Sequence, residues 1–276
     1  MKQYLDLLKH VLVNGEKKTD PQGVGNLATF GYQMRFNLRD GFPLITTRDL
    51  KGSWKAMIYE LLWFLSGSTK VSDLNKHGVH LWDVWATPEI CRSLGLEDGD
   101  LGPIYGKQWR AFSCGDGVEV DQIKQVINGL KSNPDSRRWI VSSWNPRDVD
   151  RVFVAPCHCF YQFFHANGKL SLQLYQRSAD LPLGAPFNIA EYCLLLMMVA
   201  QVTGLEAWEF VHTIGDGHIY LNQIEGVQEQ ISRIPRSLPS VHINPEVKDI
   251  FNFTFDDFHL EGEYNPHPKI KFPVAV

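Results

Sequence analysis

An α+β fold is what this sequence predicts, and three observations carry the prediction. Phe30, Tyr32, Met34, Phe36 and Leu38 alternate as one buried face of a strand. Residues 158–166 and 169–176 flank Asn167-Gly168, a dipeptide suited to a two-residue hairpin turn. Between the strands stand helical stretches, the most apolar running from Pro186 to about Val202. Strands paired first as hairpins, with long helices inserted among them, belong to the α+β class.

In chain order, residues 1–15 place Tyr4, Leu7, Leu8, Val11 and Leu12 on one helical face and stop near Gly15. The alternating strand follows. Residues 53–65 repeat the helical spacing through Trp54, Met57, Ile58, Leu61, Leu62 and Leu65, ending at Ser66-Gly67-Ser68. Asp121 reads as the cap of a helix bearing Ile123, Val126, Ile127 and Leu130. The turn Asn133-Pro134-Asp135-Ser136 then leads through Arg137-Arg138 into a strand at 139–144. After the hairpin comes the apolar helix, with Gly204 as its terminator. A strand near 208–214, a helix from about Leu221 and a proline-containing tail complete the chain. No Pro/Ser-rich tract, charge block or repeat interrupts it, so residues 1–276 read as one domain.

Composition narrows the function classes. Hydrophobic content of 44% with 12% aromatics suits a well-buried protein. A net charge of −4 argues against general affinity for polymeric nucleic acid. A nucleotide monomer needs only a local basic site and stays open. The N-terminus is read as without an apolar signal core, and no stretch is expected to approach the ~18–20 apolar residues of a membrane span. Five cysteines, odd in number and without a C-x-x-C pair, point to reduced thiols and a cytoplasmic protein. Cys157-His158-Cys159 invites a metal assignment, but zinc sites usually take four ligands at wider spacing. Adjacent strand residues also face opposite ways, so no metal is expected.

The chemistry concentrates after Cys157. The hairpin carries this thiol to Gln176-Arg177-Ser178-Ala179-Asp180 and on to Pro186-Phe187-Asn188. A thiol needs a nearby cation to ionise, an amide can read a planar polar ring, and a carboxylate can orient a second reactant. Glu60, on an otherwise apolar helix, is placed in surroundings that suit proton transfer. These are the requirements of a cysteine nucleophile acting on a nucleobase-like ring.

Along nearly its whole length the chain resembles the folate-dependent thymidylate synthase family. The motifs are Tyr32-Gln33-Met34-Arg35-Phe36-Asn37, Glu60-Leu61-Leu62-Trp63-Phe64-Leu65 and Leu81-Trp82-Asp83-Val84-Trp85-Ala86. They continue with residues 102–110, Asp135-Ser136-Arg137-Arg138, residues 155–160, 173–180 and 186–192, residues 215–220, and the end Pro273-Val274-Ala275-Val276. The resemblance implies a large mixed sheet with long helices and a homodimer packed sheet on sheet. It also implies transfer of a one-carbon unit from 5,10-methylenetetrahydrofolate to carbon 5 of dUMP, with the folate as hydride donor and no metal.

By the same resemblance Cys157 is the nucleophile that adds to carbon 6, and Arg177 supplies a cation to thiol and phosphate. Asn188 reads the base, Glu60 moves protons through ordered water, and Tyr105 and His158 support them. Arg137 and Arg138 reach the phosphate site of the partner subunit; Gln176 and Ser178 lie beside it, and His218 with Tyr220 holds the sugar hydroxyl. Asp180 meets the pterin. Leu81, Trp82, Trp85, Leu183, Gly184 and Phe187 line the folate site, Arg48 faces its acidic tail, and Ala275 with Val276 closes over the ligands.

Three departures bear on specificity. Pro21 stands where the family usually has an arginine, removing one phosphate cation. Pro182 and the longer segment at 88–97 alter the folate side. Glu191 replaces the more usual serine three residues after Asn188, where it is expected either to accept from the Asn188 amide and fix its orientation or to lie near an exocyclic amine and admit cytosine. These leave a pyrimidine nucleotide (dUMP, dCMP or CMP) 5-hydroxymethylase, using the same folate, as the alternative reading.

Overall fold

The computed structural model describes residues 1–20 and 23–274. The first helix, α1 (Lys2–Asn14), leads to β1 (Glu16–Lys18) and the long strand β2 (Asn26–Asn37). Helices α2 (Trp54–Ser66), α3 (Ser72–Asn75), α4 (Pro88–Ser93) and α5 (Tyr105–Arg110) follow, then the small hairpin β3 (Phe112–Gly115) and β4 (Val118–Val120). Next are α6 (Gln122–Ser132), β5 (Ile140–Ser142), β6 (His158–Ala166), β7 (Lys169–Asp180) and α7 (Gly184–Thr203). The chain closes with β8 (Glu206–Tyr220), α8 (Ile224–Ser232), β9 (Ser240–Ile243) and β10 (Phe258–Glu261).

The main sheet has six strands in the order β1-β2-β8-β7-β6-β5. All neighbours are antiparallel except β7 and β8, which run parallel. That one parallel pair makes the sheet mixed, because α7 carries the chain back across it between the two strands. Met34, Phe36, Tyr161, Phe163, Leu172, Leu174, Phe210 and Ile214 are buried from the sheet, joining the apolar faces of α1, α2 and α7 in one core. On the opposite face Ile140, Phe160 and Phe164 are exposed, beside the polar row Gln33, Thr213 and Gln173. Helices therefore cover one side of the sheet and leave the other bare.

Local signals explain most of these elements. The Asp121 side chain accepts from Lys124 N at 3.0 Å and starts α6. Asn167 and Gly168 take φ of 52° and 76°, the positive pair that a twisted two-residue hairpin requires. Gly204 at φ 74° ends α7.

Two expectations are corrected. Phe30 does not share the buried face of β2: it is 83% exposed although the β2–β8 register runs through it unshifted, and its neighbour Gly31 takes φ 79°, outside the range of a regular strand. Among the described residues one helix, α7, is long and apolar enough to cross a membrane by length and composition, against the expectation that none is. Its most apolar window is 83% buried inside the protein, as suits a core helix that is hydrophobic all round.

Candidate active site

The site forms where β6, β7, α2, α5 and the start of α7 converge. Cys157 precedes β6, and the Arg177 backbone N–H on β7 donates to its carbonyl at 2.8 Å. The same residue's guanidinium donates from Nε to Pro156 O at 3.0 Å and from Nη2 to Ala155 O at 2.6 Å. Nη2 then lies 3.8 Å from Cys157 Sγ, and the guanidinium sits 5.5 Å from the Trp144 ring centre. Two carbonyls and an indole thus fix the cation beside the sulfur.

Burial pushes the Cys157 thiol above its ordinary value, and the opposing pull of Arg177 and Tyr105 does not cancel it. The thiol is therefore a protonated nucleophile in the free chain. Tyr105, which opens α5, accepts from the Cys157 backbone N–H at 2.8 Å. His158 lies with its ring centre 5.1 Å from that of Tyr105 and 5.4 Å from that of Tyr192. Burial drives its pKa down to about 4, so it is neutral, and its Nδ1 has no hydrogen-bond partner.

Asn188 lies inside α7, past the helix start, and is not its cap. Its Oδ1 accepts from Gln176 Nε2 at 3.0 Å. Gln176 Nε2 also donates to the Ser178 carbonyl at 3.0 Å, and a carbonyl can only accept. Gln176 Oε1 in turn faces His212 Nε2 at 2.8 Å, so this histidine carries its proton on Nε2. Burial holds His212 neutral, with a pKa of about 3. The chain His212–Gln176–Asn188 fixes which end of the Asn188 amide faces which way. Glu191 does not fix it: no group donates a hydrogen bond to either of its oxygens, which corrects the expected Asn188 contact.

Glu60, 8% exposed on α2, accepts from Trp82 Nε1 at 2.5 Å. Trp82 meets Trp85 edge-on at 5.4 Å and Tyr105 at 5.9 Å, forming an aromatic wall. Leu81 is exposed on this side, while Trp85 and Phe187 are half-buried. Asp180 Oδ1 accepts from Leu183 N at 3.0 Å, just ahead of Gly184 and α7. Its Oδ2 accepts from Gln223 Nε2 at 3.1 Å, and burial raises its pKa. Gln223 Nε2 also donates to Pro273 O at 3.1 Å, tying the C-terminal segment to this carboxyl. His218 and Tyr220 lie together on β8, ring centres 5.1 Å apart, with His218 Nδ1 3.0 Å from Asp216 Oδ1.

Arg177, Asn188, Gln176, Tyr105, His158 and Cys157 come together in the single chain, with Ser178 half-buried next to Arg177. Arg137 and Arg138 do not join them; they are exposed in the turn before β5. Arg48 is only 4% exposed and donates to Pro182 O beneath the Asp180–Leu183 turn, so in the free chain it is a buried brace rather than an open docking point for an acidic tail. Pro21, Ala275 and Val276 lie outside the described residues. His212 and Gln223 escape the sequence reading. A histidine on the inward parity of β8, between Phe210 and Ile214, was a signal for the first; nothing local announces the second.

Fold and site define the class: a transferase enzyme of mixed α+β architecture with a pyrimidine nucleotide as substrate. The thymidylate synthase family model matches residues 2–276, and the chain belongs to that family. Membership brings one-carbon transfer at carbon 5 of dUMP, with methylenetetrahydrofolate as the family's second substrate.

Proposed function

We propose that the chain methylates dUMP at carbon 5 to give dTMP, through a covalent bond from Cys157 Sγ to carbon 6. The observation that carries this reading is the fixed Arg177 guanidinium 3.8 Å from the sulfur, next to an Asn188 amide of set orientation. The folate supplies the one-carbon unit and the hydride. Addition of sulfur to carbon 6 leaves carbon 5 electron-rich and able to take up that unit. An ordinary thiol is short of full ionisation at neutral pH by about 2 kcal/mol, and burial enlarges the deficit here. Ionisation is therefore coupled to ring binding, when Arg177 faces both the sulfur and the phosphate.

Asn188 offers an acceptor to ring nitrogen 3 and a donor to oxygen 4, the pattern of uracil. Glu60 passes protons to and from oxygen 4 through water, and Tyr105 supports removal of the carbon 5 proton. His158, being neutral, steadies the water without adding charge. Trp82, Trp85 and Phe187 pack the folate rings, Asp180 hydrogen-bonds the pterin, and His218 with Tyr220 holds the sugar hydroxyl.

Arg137 and Arg138 complete the phosphate site of a second copy across the bare sheet face. Supporting this, Ile140, Phe160 and Phe164 are exposed there, and Gln162 Nε2 on that face donates to Arg137 O at 3.0 Å. The unpaired cysteines suit a reducing, cytoplasmic setting.

Product mass from dUMP and methylenetetrahydrofolate tests the reading. A methyl group with dihydrofolate released is expected. A hydroxymethyl group with tetrahydrofolate released transfers the assignment to hydroxymethylation, and turnover of dCMP in place of dUMP overturns the base reading.

A further inference from the structure

Glu191 sits on α7 one turn beyond Asn188, and it is 2% exposed. Both of its carboxyl oxygens are buried without a hydrogen-bond donor. A carboxylate held this way would keep a full charge out of water with nothing to offset it. The groups facing it are the Glu60 carboxyl from α2 and, on its own helix, the Asn188 amide and the Tyr192 hydroxyl. None of these is a cation, and the Asn188 amide lies alongside without closing a hydrogen bond.

Two carboxyls in contact in a buried site do not both ionise; one keeps a proton. The division between them follows from their other neighbours. Glu60 already accepts from the Trp82 indole N–H at 2.5 Å, which stabilises negative charge there. Glu191 has no such donor. The proton therefore stays on Glu191, and its O–H has the Glu60 carboxylate as acceptor.

We propose that Glu191 is the neutral half of a proton-sharing carboxyl pair and positions Glu60, held ionised and aimed, for proton transfer. This rests on Glu60 being the proton-transfer group of the reaction proposed above. At rest the pair holds one proton and one negative charge. When Glu60 takes a proton from the water hydrogen-bonded to the pyrimidine oxygen, the pair holds two protons and no charge. The proton returns by the same water, and Glu191 keeps its own throughout. Burial and the neighbouring Glu60 push the Glu191 carboxyl well above the usual carboxylate range. Raising the pH far enough to ionise it sets a second negative charge against Glu60, so activity falls on the alkaline side.

Infrared difference spectroscopy of the ligand-free protein at neutral pH tests the pair without requiring turnover. The C=O stretch of a neutral carboxylic acid is expected, lost in Glu191→Gln and retained but shifted in Glu60→Gln, where an amide replaces the carboxylate acceptor. Its absence from the unaltered protein, or its persistence in Glu191→Gln, overturns the proposal; so does an unshifted band in Glu60→Gln. The kinetic arm compares pH profiles of kcat/KM. Glu191→Gln cannot ionise, so its alkaline limb should lie at higher pH than that of the unaltered enzyme, and coincident limbs refute the positioning role. Failure to methylate dUMP would remove the proposed reaction, yet leave the infrared result to decide the carboxyl pair on its own.

Discussion

At the scale of single residues, the site opposes two effects on Cys157, and burial wins over the Arg177 charge. Alkylation of the ligand-free protein by iodoacetamide should therefore titrate above the ordinary thiol value of ~8.5. Arg177→Gln should move that titration higher still, since it removes the only cation beside the sulfur among the described residues. A titration below the ordinary value would contradict this account of the free enzyme. Cys157→Ala should abolish both alkylation at this site and turnover. His212 acts at one remove. His212→Phe removes the donor to Gln176 Oε1 and releases the constraint on the Asn188 amide. Leaving a buried acceptor unpaired costs about 1–2 kcal/mol, so kcat/KM for dUMP should fall roughly tenfold. The preference for dUMP over dCMP should narrow as well, because a released amide can turn. A loss shared equally by both nucleotides would reduce His212 to a packing role.

At the scale of elements, the link between α6 and β5 governs where Arg137 and Arg138 sit. The Trp139 ring lies on Gly129, where an added Cβ would come within 2.0 Å of it. Its indole N–H donates to Asn133 O at 3.0 Å, so the ring has little freedom to withdraw. Gly129→Ala should gain up to about 1 kcal/mol in helix propensity and lose about 1–3 kcal/mol by overpacking. A net loss seen as a lower Tm is expected, and an unchanged or raised Tm would refute the tight fit. Elements of this kind were legible in the sequence wherever the signal was local. The Asp121 cap, the Asn167-Gly168 turn and the Gly204 stop are each set by one or two residues. The parallel pairing of β7 with β8 was not legible, because α7 is apolar on every side and its periodicity names no partner strand. Likewise Cys157, Arg177 and Asn188 stand out by residue type and order. The Gln223 bridge from Asp180 to Pro273 joins residues 43 and 50 positions apart, and only the folded chain brings it into view.

At the scale of the whole molecule, buried histidines set the acid limit. His158 and His212 have pKa values of about 4 and about 3 when folded, against about 6.5 in an unfolded chain. Between about pH 6.5 and 4 the unfolded state binds two more protons at these sites, so stability falls as pH falls, by about 2.7 kcal/mol per unit. Glu191 works the other way: its raised folded pKa makes the folded state the better proton binder above about pH 4.5, offsetting roughly half of that slope. Denaturant titrations should show a net loss between pH 6.5 and 4.5, and a flat profile there would contradict neutral buried imidazoles. The proposed assembly makes a separate demand. If Arg137 and Arg138 serve the other copy, a site draws its sulfur from one chain and two of its cations from the next. A Cys157→Ala chain and an Arg137→Ala/Arg138→Ala chain would each form impaired homodimers. Unfolded together in equal amounts and refolded, they should form mixed pairs with one intact site in each. Random pairing makes half of the dimers mixed, so recovery should approach about a quarter of the unaltered activity. Differently tagged chains would verify that mixed pairs form. If they form and no activity returns, both arginines act within their own chain, and the bare face of the sheet needs another explanation.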